Sequence, residues 1–180
     1  MFHFNQRAKF ILFFLLILVS GSGWIWVSRP SVVEGHQTIK AEAIVGRPAP
    51  LFALTTLTGE HFDLAEQQGT PVLLNFWATW CGPCRAELPA LQATAQQYAG
   101  QVKIVAVDQA ETPAAVRRYA EELGLTFIIP MDTEGSVGNL YNIRGLPTTF
   151  FIDENGIIRQ VRSGEMDRIT LAESIASLLD

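Results

Sequence analysis

The chain has only two cysteines, Cys81 and Cys84. They stand two residues apart, where a short apolar run gives way to a helical pattern. Val72 to Phe76 reads as a buried strand. Past the cysteines, Leu88, Leu91, Ala95 and Tyr98 recur at helical spacing, and Gly100 offers a stop. Cys81 is thereby predicted at the N-terminal end of a helix, where unpaired backbone N–H groups and the helix dipole favour a thiolate over a thiol. A thiolate there can attack a disulfide. Cys84, one turn along, is placed to attack the resulting mixed disulfide and release the product. Pro83 suits the first helical turn, because its missing N–H would have had no intrahelical partner.

Two plainer readings of the pair compete. Half of a zinc site would need two more ligands, yet there is no second cysteine pair, and His3, His36 and His61 lie far apart in the sequence. An inert structural disulfide would close so short a loop that it constrains the unfolded chain little. A C-x-x-C beside a β-α pattern is the specific form of a redox signal.

Trp80-Cys81-Gly82-Pro83-Cys84 resembles the thioredoxin active site, and Phe76-Trp77-Ala78 before it matches too. The wider context is similar to the membrane-anchored thioredoxins of the ResA/TlpA kind, with their redoxin or AhpC/TSA-like domain. Its marks are Gly46-Arg47-Pro48-Ala49-Pro50-Leu51-Phe52 and Gly145-Leu146-Pro147-Thr148-Thr149-Phe150-Phe151-Ile152-Asp153, and the likeness covers Ile44 to Asp180. It implies a thiol-disulfide oxidoreductase that needs no cofactor and no metal beyond its own dithiol. It further implies a cis bond before Pro147, packed against the cysteines, and a backbone at Leu146 free to pair with an extended substrate. A trans proline opening an edge strand is the alternative. Trp80 would cover the disulfide or serve as a core aromatic. Pro89 should kink the helix without ending it.

The proton that leaves Cys84 needs an acceptor. Thioredoxin has a buried Asp on the preceding strand, and Asn75, which cannot exchange a proton at neutral pH, stands at that position. Glu87, three residues after Cys84 and on the same helix face, is the candidate replacement, and the resemblance gives a Glu here that role. Its alternative is an ordinary first-turn carboxylate favourable to the dipole.

The N-terminus sets the location. Phe10 to Val19 is unbroken apolar sequence behind Arg7 and Lys9, and after Ser20-Gly21-Ser22-Gly23 the apolar character resumes in Trp24-Ile25-Trp26-Val27. A cleaved signal peptide could use the small residues. A retained anchor would use Phe10 to Val27, about 27 Å of helix, with Trp24 and Trp26 at the interface. The anchor reading, residues 1–27, is favoured, since a free mature N-terminus has no use for those tryptophans. Residues 28–43 then form a tether spanning at most ~55 Å, with the domain at 44–180. Either way the domain lies on the extracytoplasmic side of a bacterial-type membrane. There a dithiol can be oxidised in use, and a membrane thiol donor would have to reduce it again. The formal net charge is −5, with the acidic excess beyond Ile44 and no basic patch for nucleic acid.

The remaining pattern gives an α/β fold. Leu51 to Leu57 and Glu60 to Leu64 flank Thr58-Gly59 as a hairpin. Val102 to Val107 is a strand, and Thr112-Pro113 opens a helix with Val116, Tyr119, Ala120 and Leu123 inward. Phe127 to Met131 is a strand, and Val137 to Tyr141 a short helix. Thr148 to Ile152 and Ile157 to Val161 form a hairpin about Asp153-Glu154-Asn155-Gly156. Asp167 caps a last helix with Ile169, Ala172, Ile175 and Leu179 inward. This order agrees with a thioredoxin fold, a mixed sheet with helices on both faces, carrying an N-terminal hairpin and a central α-β insertion at Thr112 to Met131.

The predicted function is reduction of disulfides in exported, cysteine-containing proteins, apocytochrome c among them by resemblance. A disulfide-donating oxidant on the same fold is the open alternative, because a span of roughly 150 mV between reductant and oxidant is within reach of local charges. A thiol peroxidase would want Thr where Ala78 stands. A copper-delivery protein would want three residues between its cysteines and a distal His.

Overall fold

The computed structural model describes residues 43–180. The expected anchor over 1–27 and all of the expected tether but Ala43 lie outside them. Among the described residues no helix is long and apolar enough to cross a membrane.

Two short strands, β1 (Ala53–Thr55) and β2 (His61–Asp63), pair antiparallel as a separate hairpin. Asp63 then caps a 3-10 turn over Leu64–Gln67, accepting from the Ala65 N–H at 2.8 Å. The main body follows as β3 (Val72–Trp77), α1 (Gly82–Gln97), β4 (Lys103–Gln109), α2 (Pro113–Leu123), β5 (Met131–Asp132), α3 (Ser136–Leu140), β6 (Thr148–Ile152), β7 (Ile158–Ser163) and α4 (Arg168–Leu179). Five strands make one sheet in the order β5-β4-β3-β6-β7. The β3–β4 and β4–β5 pairs are parallel, since a helix carries each crossover, and β6 and β7 add antiparallel on the other side. The expected α/β thioredoxin fold is borne out.

Every side chain of the central strand β3 is buried, so both faces of the sheet must be covered. Alternation along the strands assigns the covers. Leu73, Trp77, Ile104, Ala106 and Phe151 pack with α1, α2 and α4 through Leu88, Leu91, Val116, Ala120, Leu171 and Ile175. Leu74, Phe76, Val105, Val107 and Phe150 point the other way, onto Phe52, Phe62, Leu64, Val137 and Tyr141. The three longer helices thus share one face; the short α3, the 3-10 turn and the N-terminal hairpin cover the second.

The first described residues run from one side of the sheet to the other. Beside β7, Gly46 N–H donates to Ile158 O at 2.7 Å, Ile158 N–H to Arg47 O at 3.0 Å and Ala49 N–H to Gly156 O at 2.9 Å. Beyond β1, Leu57 N–H donates to Ile129 O at 2.8 Å, and Thr56 bridges to Pro130 next to β5.

Three elements differ from the pattern reading. The strand expected at Phe127 to Met131 is only Met131–Asp132, because Pro130 has no N–H for the ladder; before it, Ile128 bridges to Val105 through bonds with Ile104 O and Ala106 N–H, and Asp108 N–H donates to Pro130 O. In α4 the inward residues are Leu171, Ser174, Ile175 and Leu178, while Ile169 is 69% and Leu179 42% exposed. Apolar residues surround that helix, so its sequence holds overlapping stripes, and packing against α1 and β6 selects one. In α2, Leu123 is likewise exposed at the helix end, beside Gly124 in the left-handed conformation that closes it.

The β6–β7 turn is pinned by Asp153, only 4% exposed. Its carboxylate accepts from the N–H groups of Asn155 and Ile157 at 3.0 and 2.8 Å and from Arg159 Nε at 2.6 Å. Burial alone would raise its pKa; these donors and the Arg159 charge together hold it below the usual carboxylate range. Asp153→Ala removes the acceptor from all three donors. With bonds to a charged group contributing roughly 1.5–3 kcal/mol, it should cost about 2–3 kcal/mol at neutral pH, read as a lowered urea midpoint. A shift no larger than that of a surface alanine substitution would contradict this assignment.

Candidate active site

Strand β3 ends at Trp77, and the next four residues lead the chain into α1 with Cys81 as its N-cap. Cys81 Sγ accepts from the Cys84 N–H at 3.2 Å. Pro83 occupies the first turn, where it gives up no helical bond, so the first available donors lie around the sulfur. The two cysteines are joined as a disulfide. Cys81 is 6% exposed and Cys84 1%, so Cys81 is the sulfur closer to solvent. The helix runs on through Pro89 to Gln97, as expected of a proline that does not end it.

An open groove of about 650 Å³ lies beside the disulfide. It is lined by Trp80, Cys81 and Pro83 and by Ile143, Arg144 and Leu146. Trp80 is 69% exposed, which removes the core-aromatic reading; the core indole is Trp77, whose Nε1–H donates to Ala106 O at 3.2 Å. The Leu146–Pro147 bond is cis. Pro147 is buried, and its carbonyl accepts from Gly164 N–H at 2.8 Å. Among the described residues neither the N–H nor the C=O of Leu146 has a backbone partner, which leaves both for an extended peptide. Gly138 also lines the groove, and an added Cβ there would come within 1.9 Å of Gln109 Oε1.

Beneath the helix start, the cysteine-bearing face of the sheet departs from its apolar pattern at three positions, Asn75, Thr149 and Asp108, each fully buried. Asn75 Nδ2 donates to Glu87 Oε2 at 3.1 Å and to Thr149 Oγ1 at 2.8 Å. Glu87, 1% exposed, also accepts from Met166 N–H at 3.2 Å through Oε1. Burial pushes its pKa up to about 7, opposed by the bonds from Met166 and Asn75 and reinforced by the Glu165 charge. An ordinary first-turn carboxylate would sit in water; this one lies inside the protein and changes protonation near neutrality. Burial also drives Asp108 up to about 8, helped by the neighbouring carboxylate of Glu111 and by the charge of Asp132.

All six residues singled out from the sequence, Trp80, Cys81, Cys84, Glu87, Leu146 and Pro147, lie at this end of the sheet. The sequence reading missed the partners that hold them. Thr149 was visible only as a strand residue, and Met166 acts through its backbone, which leaves no trace in a side-chain pattern. Asp108 did carry a signal: it is the acid that follows the apolar run Ile104 to Val107. Glu111, whose carboxylate accepts from Thr79 N–H at 2.5 Å and from Thr79 Oγ1 at 2.6 Å, carried none.

Residues 45–161 match the sequence profile of the AhpC/TSA family. The thiol-disulfide oxidoreductase ResA of Geobacillus kaustophilus is 37% identical over 175 residues, 97% of each chain. That of Oceanobacillus iheyensis is 41% identical over 167 residues, 90% of this chain and 85% of the relative. Among solved structures, a secreted disulfide oxidoreductase of Mycobacterium tuberculosis, homologous to the DsbE of E. coli, superposes with a TM-score of 0.65 at 29% identity, covering 71% of this chain and 96% of its own. The thioredoxin-like domain, its dithiol end and these relatives agree: the chain belongs to the AhpC/TSA family and is a thiol-disulfide oxidoreductase.

Proposed function

We propose that this chain is a membrane-tethered reductase of disulfides in exported proteins, working on the extracytoplasmic side of a bacterial cell membrane. The observation that carries the chemistry is the Cys81–Cys84 pair at a helix start, with the buried Glu87 one turn deeper. The location is supported by the apolar run Phe10 to Val27 behind Arg7 and Lys9, and by the secreted relative from M. tuberculosis.

In the reduced protein the Cys81 thiolate attacks one sulfur of the substrate disulfide. The substrate S–S bond breaks, a Cys81–substrate bond forms, and the departing substrate thiolate takes a proton from water. Cys84 then gives its proton to the Glu87 carboxylate and attacks Cys81 Sγ. The Cys81–Cys84 bond closes as the Cys81–substrate bond breaks, the second substrate sulfur leaves as a thiolate and takes up the proton that Glu87 received, and two electrons have passed to the substrate. A membrane-bound dithiol donor must restore the pair, because these are the only thiols of the chain. The groove between Trp80 and Leu146 receives the substrate as an extended segment paired with the Leu146 backbone. Apocytochrome c, whose haem-attaching cysteines must be reduced, is the substrate we place first. The reduction potential of the pair tests the direction: a value near the −270 mV of thioredoxin supports a reductase, and one near −120 mV a disulfide donor.

The tether is tested by fractionation. Full-length protein should stay with membranes through a high-pH carbonate wash; mature protein in the soluble fraction, beginning near Ser22 or Trp24, would show cleavage instead. The division of labour is tested by trapping. Cys84→Ser should accumulate mixed disulfides with protein substrates and Cys81→Ser should not, the reverse result exchanging the two roles.

Glu87 is tested by pH. Only its ionised form accepts a proton, so with a pKa of about 7 the resolution step should quicken as pH rises through 7. Glu87→Gln keeps the size and the Asn75 contact but not the ionisation. It should still form the mixed disulfide, resolve it about 10²-fold more slowly, and lose the rise through pH 7. Single-turnover reduction of a model disulfide across pH reads all three. An unchanged rate and profile would assign the proton to water.

A further inference from the structure

The segment between β3 and α1, which sets where Trp80 and Cys81 stand, is held from outside by one residue. Thr79 donates both its N–H and its Oγ1–H to the two carboxylate oxygens of Glu111, at 2.5 and 2.6 Å. Each oxygen of the Glu111 carboxyl group thus accepts one of the two donors of Thr79. Glu111 reaches Thr79 because the chain turns sharply after β4. Ala110 takes a left-handed conformation, φ 60°, that residues with a Cβ rarely adopt unless their surroundings hold them, and its N–H is fixed on Asp132 O at 3.0 Å.

Behind this turn lies Asp108. It is fully buried, and neither carboxyl oxygen has a hydrogen-bond partner, the arrangement least tolerant of a charge. It sits beside Trp77 of β3 and Met131 of β5. The charges that bear on it are Glu111 and, more weakly, Asp132 of β5. Asp132 is itself satisfied by Gln109, Ser136 and the Gly138 N–H. From the helices on this face come the two bonded cysteines, which do not titrate, and Tyr119 with the Arg85 guanidinium 5.7 Å from its ring centre. The proposed reaction leaves Asp108 without a task.

We propose that Glu111 is a positioning residue for the Cys81 segment, and that a proton held on Asp108 keeps it there. With Asp108 neutral, Glu111 is the only negative charge at the turn apart from the well-bonded Asp132, and Thr79 neutralises it with two donors. Once Asp108 ionises, two carboxylates stand side by side, one of them fully buried. The repulsion falls on the residue that can move, Glu111, which is half-buried at the surface. Its withdrawal frees both donors of Thr79, and Trp80 and Cys81 shift against Leu146 across the groove. The effect therefore falls on substrate docking rather than on the sulfur chemistry. In so far as it concerns docking, the inference rests on the function proposed above.

The oxidised full-length protein is the right sample, because its thiols cannot titrate. Labelled with 5-fluorotryptophan it gives four signals, one per tryptophan, and Trp80→Phe identifies that of Trp80. The Trp80 signal should shift in one step centred near pH 8, where Asp108 releases its proton. Asp108→Asn should abolish the step and keep the low-pH position. Thr79→Val and Glu111→Gln, which break the clamp at the surface, should abolish it as well, whereas Thr79→Ser and Glu87→Gln should retain it. In turnover, the KM for a peptide disulfide should rise above pH 8 in the wild type and stay level in Asp108→Asn, with kcat following the same profile in both. A wild-type Trp80 signal that stays flat from pH 6 to 10, or a step that survives Asp108→Asn, would overturn the proposal. Neither result touches the dithiol chemistry, which the trapping variants test separately.

Discussion

Asn75 lies in the middle of a strand that water does not reach, so its amide must find its partners inside the protein. The two Nδ2 hydrogens go to Glu87 on α1 and Thr149 on β6, which ties the first helix to two neighbouring strands at the level of the cysteines. An unpaired buried amide donor costs far more than a made bond contributes, so this junction constrains the rotation of α1 above the sheet. The position of Cys84 follows from it, one turn before Glu87, and so does the attachment of Met166, whose N–H completes the carboxylate. Glu87 is consequently held by two donors and no cation. Such a balance leaves a buried acid neither fully charged nor permanently neutral at pH 7.

The same face handles a second acid differently. Burial raises the pKa of both acids; at Asp108 the neighbouring Glu111 carboxyl group adds to it, whereas at Glu87 the bonds from Met166 and Asn75 oppose it. Asp108 on the sheet and Glu87 on the helix that covers it are thus two buried carboxyl groups in otherwise apolar surroundings. The roles proposed for them differ with their surroundings.

That alternation explains what the sequence disclosed and what it withheld. Strand β3, the first helix and the β6–β7 hairpin were legible because each combines an apolar period with a marker residue of known habit nearby, such as Gly156 in the turn or Gly100 beyond the first helix. The edge near Phe127 was not, because Pro130 breaks a ladder that the apolar content still suggests. The stripe of α4 was misplaced because several faces of that helix are apolar, and only the neighbour it packs against decides among them. At the site, the chemistry-bearing side chains announced themselves by type and spacing. Their holders did not: Met166 contributes a backbone N–H, and Glu111 reaches Thr79 over 32 residues of sequence through a backbone turn at Ala110 that no propensity predicts.

The N-terminal stretch of the domain has one further consequence. A five-stranded open sheet has two margins, each with unpaired backbone groups that invite another chain to add a strand. Here Gly46 to Ala49 lie along one margin, against β7, and Thr56 and Leu57 along the other, beside β5. A single segment of about a dozen residues therefore clasps both ends of the sheet while its hairpin covers the face between them. At Ile158 and beside Pro130, where the segment is bonded, the backbone is closed to another copy of the domain. Under the function proposed above, an unfolded substrate would find a free N–H and C=O at Leu146, in the groove beside the disulfide.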